Sequence, residues 1–187
     1  MRGHQRKIKG PGPFILARVL AIAEVDGMDL PAFRAAFGAV VEHSPWVAEA
    51  VHGRAPFGSA AGLALAFTAA IRGADDAQRL QVLQAHPELA GREAQAGELT
   101  EASAQEQRAA RLDRLTPAQL ADLREINAAY RERFGFPFIS CVREHSVASL
   151  LTWGRARLER EPADEARTAL AEVDKIVGLR LNGLVAG

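Results

Sequence analysis

The sequence predicts an all-α fold, a single-domain helical bundle of about eight helices, and three observations support this fold class. Apolar residues recur at the spacing of one helix face in nearly every periodic segment. Residues that cap helices stand beside prolines at several points, as is typical of helix starts. The segment 136–142 is the only plausible extended stretch, and one such stretch cannot form a sheet.

The first predicted helix has an apolar face near the N-terminus, formed by Ile15, Leu16, Val19, Leu20 and Ile22. Asp29, Ser44 and Thr116 each precede a proline by one or two positions, so each is predicted to cap a helix.

The helix after Thr116 has the clearest limits. Thr116-Pro-Ala-Gln119 has the form of a capping box, in which the Gln119 side chain bonds back to the backbone of Thr116. This helix is predicted to end at about Phe134, because Gly135 can stop it.

Five further helices are predicted, at about 59–71, 76–86, 103–112, 146–160 and 164–181. One longer loop is expected from Pro87 to about Glu101. Residues 1–12 are expected to form a flexible basic tail, and residues 13–187 the helical domain.

Composition excludes several classes of protein. The chain has 187 residues with 23 Lys and Arg against 23 Asp and Glu, so no basic excess points to nucleic acid or an acidic membrane. With Cys141 as the only cysteine, no intrachain disulfide can form. No segment reaches the ~20 apolar residues of a membrane span, and Arg18 interrupts the one stretch that resembles an export signal. We therefore expect a soluble cytoplasmic protein.

His86 is the best candidate for proton transfer. It ends a predicted helix and Pro87 breaks the chain directly after it, which projects the imidazole from a rigid corner. The alternative is a cationic histidine that interacts with the negative end of the helix dipole. The other histidines are assigned to the tail or to structural and solvated positions: His4, His43, His52 and His145. No spacing typical of a zinc site is present, and we predict no metal.

Two further segments have both a structural and a functional interpretation. Ser103-x-x-Glu106 has the form of a capping box, but a helix start with these side chains and Gln107 could also hold an anionic or urea-like ligand. The segment 134–142 is either aromatic core or a nonhelical wall whose backbone binds a flat substrate. Cys141 has little support as a nucleophile, because no basic partner stands beside it.

Six short motifs follow one another along the chain. They are Glu42-His-Ser-Pro-Trp-Val-Ala-Glu49, Ala85-His-Pro-Glu-Leu-Ala-Gly91, Leu99-Thr with Ser103-x-x-Glu106-Gln107, Leu112-Asp-x-Leu115, Phe134-Gly-Phe-Pro-Phe-Ile139 and Lys175-Ile-x-x-Leu-Arg-Leu181. In order and spacing the sequence resembles, from about Phe33 to Leu181, the 2-oxo-4-hydroxy-4-carboxy-5-ureidoimidazoline (OHCU) decarboxylase family of uric acid breakdown. It departs from the family at Ser140, where an aliphatic residue is usual, and at Arg108-Ala-Ala-Arg111, where a more glycine-containing stretch is usual.

The resemblance implies an all-helical carboxy-lyase, a homodimer that converts OHCU to (S)-allantoin and CO2 without a cofactor. It implies that His86 and Glu106 are catalytic. The substrate-binding residues implied are Pro87, Ser103, Ala104, Gln105, Gln107, Phe138, Ile139, Ser140, Cys141, Val142 and Arg180. Arg180 would attract the substrate carboxylate, or would only be a cation in the last turn of a helix.

Four questions stay open at this point. The chain could be a noncatalytic helical module that binds a ureide or a partner enzyme, although it retains both His86 and Glu106. A ureide hydrolase would need a nucleophile or a metal site, for which no spacing is visible. The sequence also leaves undecided which group protonates carbon after CO2 loss, and whether a hydroxyisourate hydrolase associates with the chain.

Overall fold

Ten α-helices make up the computed structural model, which describes residues 19–186. In chain order they are α1 (Ile22–Asp26), α2 (Leu30–Phe37), α3 (Pro45–His52), α4 (Ala60–Arg72), α5 (Asp76–Gln84), α6 (Arg92–Ala96), α7 (Glu101–Ala109), α8 (Pro117–Phe134), α9 (Val147–Leu158) and α10 (Pro162–Leu184). Eight of them have seven or more residues, and the described residues contain no strand, which confirms the predicted all-α bundle.

The predicted helix starts at prolines are confirmed. The Asp29 carboxylate accepts the Ala32 N–H at 2.9 Å at the start of α2. Ser44 directly precedes α3, as predicted, but its side chain makes no capping hydrogen bond there. At the start of α8, the Thr116 hydroxyl accepts the Gln119 N–H at 3.2 Å. The Gln119 side chain accepts the Thr116 N–H at 3.0 Å, which completes the capping box.

The end of α8 is also as predicted. Gly135 follows Phe134 with a φ of 77°, a left-handed conformation that glycine adopts without strain.

The predicted first helix is wrong in its N-terminal part. Leu20 does not lie in a helix, because its backbone pairs with the end of the chain: its N–H donates to Leu184 at 2.8 Å, and its carbonyl accepts the Ala186 N–H at 2.9 Å. Helix α1 therefore begins only at Ile22. The predicted tail, His4, Ile15, Leu16 and Arg18 lie outside the described residues.

The region before α7 differs from prediction in two ways. The expected loop from Pro87 to Glu101 contains the short helix α6. The capping box at Ser103 is wrong, because the cap of α7 is Thr100, whose hydroxyl accepts the Ser103 N–H at 3.3 Å. Ser103 is the third residue of the helix, and its own hydroxyl is directed to another part of the chain.

The core lies around α10, which packs against α4, α5 and α8. Its buried face includes Ala169, Val173, Val177 and Leu181. The nonhelical segment that follows α8, residues 136–141, is buried and ends in a short 3-10 turn at Val142–Glu144. None of the described helices is both long and apolar enough to cross a membrane. The packing brings the end of α5, the start of α7, this nonhelical segment and α10 to one place.

Candidate active site

A small cavity of about 30 Å³ opens where these four parts of the chain meet. Eleven of the thirteen predicted site residues line it: His86, Pro87, Ser103, Glu106, Gln107, Phe138, Ile139, Ser140, Cys141, Val142 and Arg180. Four lining residues were not predicted: Leu89, Arg143, Ile176 and Leu179. The cavity therefore gathers residues that are far apart in the sequence.

Ala104 and Gln105 are the two predicted residues that do not line the cavity. On α7, positions 103, 106 and 107 share one face at helical spacing, whereas 104 and 105 lie on other faces. Gln105 is exposed to solvent. The prediction that these two side chains belong to the pocket is not supported by the geometry.

His86 follows the end of α5 and is only 6% exposed. Its Nδ1 lies 2.9 Å from the Val82 carbonyl oxygen, which can only accept, so Nδ1 carries the hydrogen. Burial lowers the pKa of His86, and the positive charge of Arg180 lowers it further. His86 is therefore a neutral imidazole with an unprotonated Nε2, not the cationic helix-end histidine of the alternative interpretation.

Arg180 uses all five of its N–H donors within the protein. Nε and Nη2 bind the two carboxylate oxygens of Glu106 at 2.7 and 2.9 Å. Nη1 binds Glu42 at 2.9 Å and the Val40 carbonyl at 3.1 Å, and Nη2 also binds Ser103 at 3.0 Å. Because no donor is left over, Arg180 orients Glu106 and does not itself bind the substrate carboxylate.

The alternative interpretation of Arg180 as a cation in the last turn of a helix is wrong. Helix α10 continues to Leu184 and has no basic residue in its last turn. The Arg180 side chain is 7% exposed and faces the cavity. Its position is explained by its two carboxylate partners and not by the helix dipole.

Glu42 is a site residue that sequence reasoning missed. It is 1% exposed, and its carboxylate accepts hydrogen bonds from Thr100 at 2.6 Å, Ser103 at 2.9 Å and Arg180 at 2.9 Å. Burial alone would raise the pKa of Glu42, but the Thr100 hydrogen bond and the Arg180 charge together lower it. Glu42 is the first residue of the first of the six motifs and directly follows the apolar pair Val40 and Val41, but neither observation was used to assign it to the site.

Ser103 and Gln107 present opposite hydrogen-bonding groups. The Ser103 hydroxyl donates to Glu42 and accepts from Arg180, so only an acceptor lone pair is left. The Gln107 carbonyl accepts the Ala90 N–H at 2.9 Å, and its amide donates to the Glu88 carbonyl at 3.4 Å, so one N–H is left. The start of α7 can thus bind a ligand that carries both an N–H and a carbonyl.

The nonhelical wall, residues 138–142, lies opposite α7 and is buried. Arg157 donates to the Ile139 carbonyl at 2.8 Å, and the Cys141 N–H donates to Glu172 at 2.7 Å. Burial raises the pKa of the Cys141 thiol, which keeps the thiol protonated and unreactive. Cys141 therefore lines the site without a reactive thiol, and both of its backbone groups are engaged within the protein: the N–H donates to Glu172, and the carbonyl accepts the Glu144 N–H at 3.0 Å.

The other histidines within residues 19–186 do not line the cavity. His43 is exposed with a φ of 46°, and the half-buried His52 donates from Nε2 to the Met28 carbonyl at 3.0 Å. His145 lies with Glu144 and Glu172 at a spacing that could hold a cation. Lys175 already occupies this cluster, since Nζ lies 2.7 Å from Glu144 and 2.9 Å from Glu172.

Comparison with known proteins gives consistent matches over most of the chain. The OHCU decarboxylase family model matches residues 26–182. A protein of Haloferax volcanii is 40% identical over 87% of this chain and 94% of its own length. A Bos taurus protein is 42% identical over 88% of this chain and 96% of its own length. Both are named 2-oxo-4-hydroxy-4-carboxy-5-ureidoimidazoline decarboxylase.

Solved structures are also similar. A crystal structure of (S)-allantoin synthase has a TM-score of 0.72 and 28% identity, and the match covers 89% of this chain and 54% of that one. A structure of OHCU decarboxylase in the presence of (S)-allantoin has a TM-score of 0.62 at 24% identity, which supports the fold.

Proposed function

Since the chain belongs to the OHCU decarboxylase family, we propose that it removes CO2 from OHCU and forms (S)-allantoin, with His86 and Glu106 as its catalytic residues. One observation carries the assignment of the site. A neutral His86 with a free Nε2 and a Glu106 held by Arg180 line the same small cavity.

The substrate supplies its own electron sink. Its carboxylate leaves from a ring carbon that also bears a hydroxyl, and the electron pair of the broken bond moves into the neighbouring ring C=N. The ring nitrogen takes up a proton, and a carbon–carbon double bond forms between the two ring carbons. Loss of the hydroxyl proton then produces the carbonyl, and a proton is added to the carbon that bears the ureido group. In sum, one proton replaces CO2.

The protein must orient the ring and move protons on one face of it. In this proposal the Nε2 of His86 accepts the hydroxyl proton, and the resulting imidazolium delivers a proton to the neighbouring carbon. The low pKa of His86 suits both steps, because the neutral form is the base and the cationic form is a strong acid. Delivery from one fixed imidazole explains why a single enantiomer forms.

Glu106 orients the substrate in this proposal. Arg180 holds its carboxylate by two hydrogen bonds, and the remaining lone pairs can accept from the hydroxyl or from a ring N–H. The free lone pair of Ser103 and the free N–H of Gln107 match the N–H and carbonyl of a ureido group.

We assign the attraction of the substrate carboxylate to Arg143. All donors of Arg180 are engaged, whereas Arg143 lines the cavity, is exposed and has no ion-pair partner among residues 19–186. This assignment replaces the prediction that Arg180 attracts the carboxylate.

The homodimer, the cytoplasmic location and the association with a hydroxyisourate hydrolase stay predictions. A Bacillus subtilis relative, 30% identical over 87% of this chain, is named a uric acid degradation bifunctional protein, and the match covers 32% of it. This relative supports coupling of the chain to another enzyme of uric acid degradation. Light scattering during gel filtration and cofractionation from cells test these predictions.

The proposed reaction is tested with freshly generated OHCU, whose conversion is followed by circular dichroism. Spontaneous decay gives racemic allantoin and no signal, so the protein is expected to produce the signal of (S)-allantoin. A noncatalytic ureide-binding module would leave the decay racemic, and that result would overturn the proposal.

A further inference from the structure

The nonhelical wall, residues 138–142, is held from behind by two buried charged side chains. The Ile139 carbonyl accepts from Arg157 at 2.8 Å, and the Cys141 N–H donates to Glu172 at 2.7 Å. Neither Arg157 nor Glu172 lines the cavity, whereas Ile139, Ser140 and Cys141 do. Both anchors thus bind backbone groups of the wall from outside the set of residues that line the cavity.

The contacts of the Ile139 carbonyl and the Cys141 N–H fix the directions in which the backbone groups of Ser140, the residue between them, point. The bond Ala55–Pro56 is the only cis peptide in the described part of the chain, so the peptides at Ser140 are trans. In a planar trans peptide the C=O and the following N–H point in opposite directions. The Ser140 N–H therefore points away from Arg157, and the Ser140 carbonyl points away from Glu172.

These two backbone groups of Ser140 have no partner. No residue of the described range 19–186 bonds to its N–H or to its C=O, although Ser140 is only 3% exposed. Buried backbone groups are almost always paired, so this donor and acceptor are left for a ligand or water. The amide edge of a ureido group or of a lactam ring offers the complementary carbonyl and N–H.

The first anchor is rigid. Arg157 and Glu165 are fully buried and form a three-bond ion pair, and Tyr130 donates to the same carboxylate at 3.3 Å. The Arg157 guanidinium also lies 5.1 Å from the ring centroid of Phe138, the first residue of the wall.

The second anchor holds both backbone and side chain of the wall. Lys175 binds Glu172 at 2.9 Å, and the Ser140 hydroxyl lies 3.4 Å from the carboxylate that also accepts the Cys141 N–H. The Ser140 side chain is therefore directed toward Glu172. The serine that replaces the usual aliphatic residue thus leaves the N–H and C=O of Ser140 available to a ligand.

From this geometry we infer that Arg157 and Glu172 are positioning residues, which turn the N–H and C=O of Ser140 toward the amide edge of the substrate. The inference rests on the proposed function and adds to it the groups that fix the wall from outside the cavity.

Glu172→Ala tests the inference against a matched control, Glu144→Ala. Each variant removes one carboxylate of Lys175, but only Glu172 accepts the Cys141 N–H. We expect Glu172→Ala to raise the KM for OHCU and weaken (S)-allantoin binding by about tenfold or more, with a smaller change in kcat. Glu172→Gln, which keeps an acceptor oxygen, should restore most of the affinity. Equal KM values for the two alanine variants would overturn the inference.

A measurement on the unmodified protein covers the case in which Glu172→Ala does not fold. Titration with (S)-allantoin should shift the ¹⁵N–¹H signal of the Ser140 amide, and an unchanged Ser140 signal at saturation would overturn the inference. The circular dichroism assay separates this result from the proposed function. A protein that produces (S)-allantoin with an unshifted Ser140 amide contradicts the inference alone, whereas a protein that produces none contradicts the function.

Discussion

Arg157 and Arg180 both form ion pairs with glutamates, but only Arg180 lines the cavity. Arg157 is fully buried, pairs with Glu165 and donates to a wall carbonyl, and the rings of Phe138 and Trp153 lie against it. Arg180 is 7% exposed at the cavity and binds two carboxylates.

The difference lies in the number of carboxylates. At Arg157 one positive charge meets one negative charge, and the group is closed to solvent. At Arg180 the two carboxylates exceed the one guanidinium, and Glu106 keeps accepting capacity on the cavity side. The first cluster supports the wall, whereas the second holds a reactive carboxylate in place.

The largest expected effect is a loss of turnover on substitution of a residue that lines the cavity. His86→Asn removes the proposed base and should lower kcat by about 10²- to 10⁴-fold, with the melting temperature nearly unchanged. Tyr130→Phe, in the Arg157 cluster, is the matched control and should keep its turnover. Circular dichroism of (S)-allantoin formation measures both, and near-normal turnover by His86→Asn would remove His86 from the mechanism.

Exchange of one carboxylate for an amide in each cluster should separate stability from activity. Glu165→Gln leaves a buried Arg157 without its countercharge and should reduce the free energy of unfolding by about 3 to 5 kcal/mol. Glu106→Gln leaves Arg180 paired with Glu42, so it should lower turnover far more than stability. Urea unfolding and steady-state kinetics on both variants check this, and a Glu106→Gln variant with wild-type turnover would leave Glu106 a structural role only.

A third arginine, Arg143, lines the cavity but has no carboxylate partner in residues 19–186. Arg143→Gln should raise the KM for OHCU by about tenfold, because it removes a charged hydrogen-bond donor at the cavity while kcat is kept. The effect should diminish at high salt. A KM unchanged from wild type at low salt would contradict the assignment of the substrate carboxylate to Arg143.

Acidification should lower the free energy of unfolding, first through His86 at the cavity. Because the folded-state pKa of His86 is lowered from 6.5, the unfolded chain binds a proton that the folded chain does not as the pH falls below that value. Stability is therefore lost on acidification. Glu42, whose folded pKa is lowered from 4.5, adds a second loss below that value. Urea unfolding at about pH 7.5 and 5.5 should show a smaller loss in His86→Asn than in wild type; equal losses would contradict the lowered His86 pKa.

The smallest effect on kcat and KM is expected from substitution of a residue on the solvent-exposed face of α7. Gln105 is exposed and does not line the cavity, so Gln105→Ala should leave kcat and KM unchanged. Gln107→Ala, two positions along the same helix, should raise KM because it removes a donor in the cavity. Steady-state kinetics compares the two variants, and a defect in Gln105→Ala would show that the pocket extends beyond the face described above.

The sequence predicted best those features that depend on neighbouring residues. The cap at Thr116 and the stop at Gly135 follow from local side-chain chemistry and limit α8 at both ends as predicted. The capping box at Ser103 failed although its pattern was correct, because Thr100 provides the cap and Glu42 binds the serine hydroxyl. The N-terminal helix failed because Leu20 pairs with the far end of the chain.

The polar partners of the site were hidden for the same reason. Nothing near Glu42 in the sequence indicates that it meets Arg180, and Arg157 has no local sign of its contact with Ile139. These pairs join distant elements, so only the packing of the helices brings them together. The local pattern already indicated His86 as a candidate for proton transfer, and the resemblance to the OHCU decarboxylase family added the catalytic roles of His86 and Glu106, whereas the groups that orient them and the wall required the structure.

The protonation state of His86 in the free protein tests directly whether this residue can act as the base. ¹⁵N NMR of the imidazole at pH 7, assigned by comparison with His86→Asn, should show a neutral ring with hydrogen on Nδ1 and a bare Nε2, as the 2.9 Å contact with the Val82 carbonyl requires. An imidazolium, or a neutral ring with hydrogen on Nε2, would contradict the account of His86 as the base.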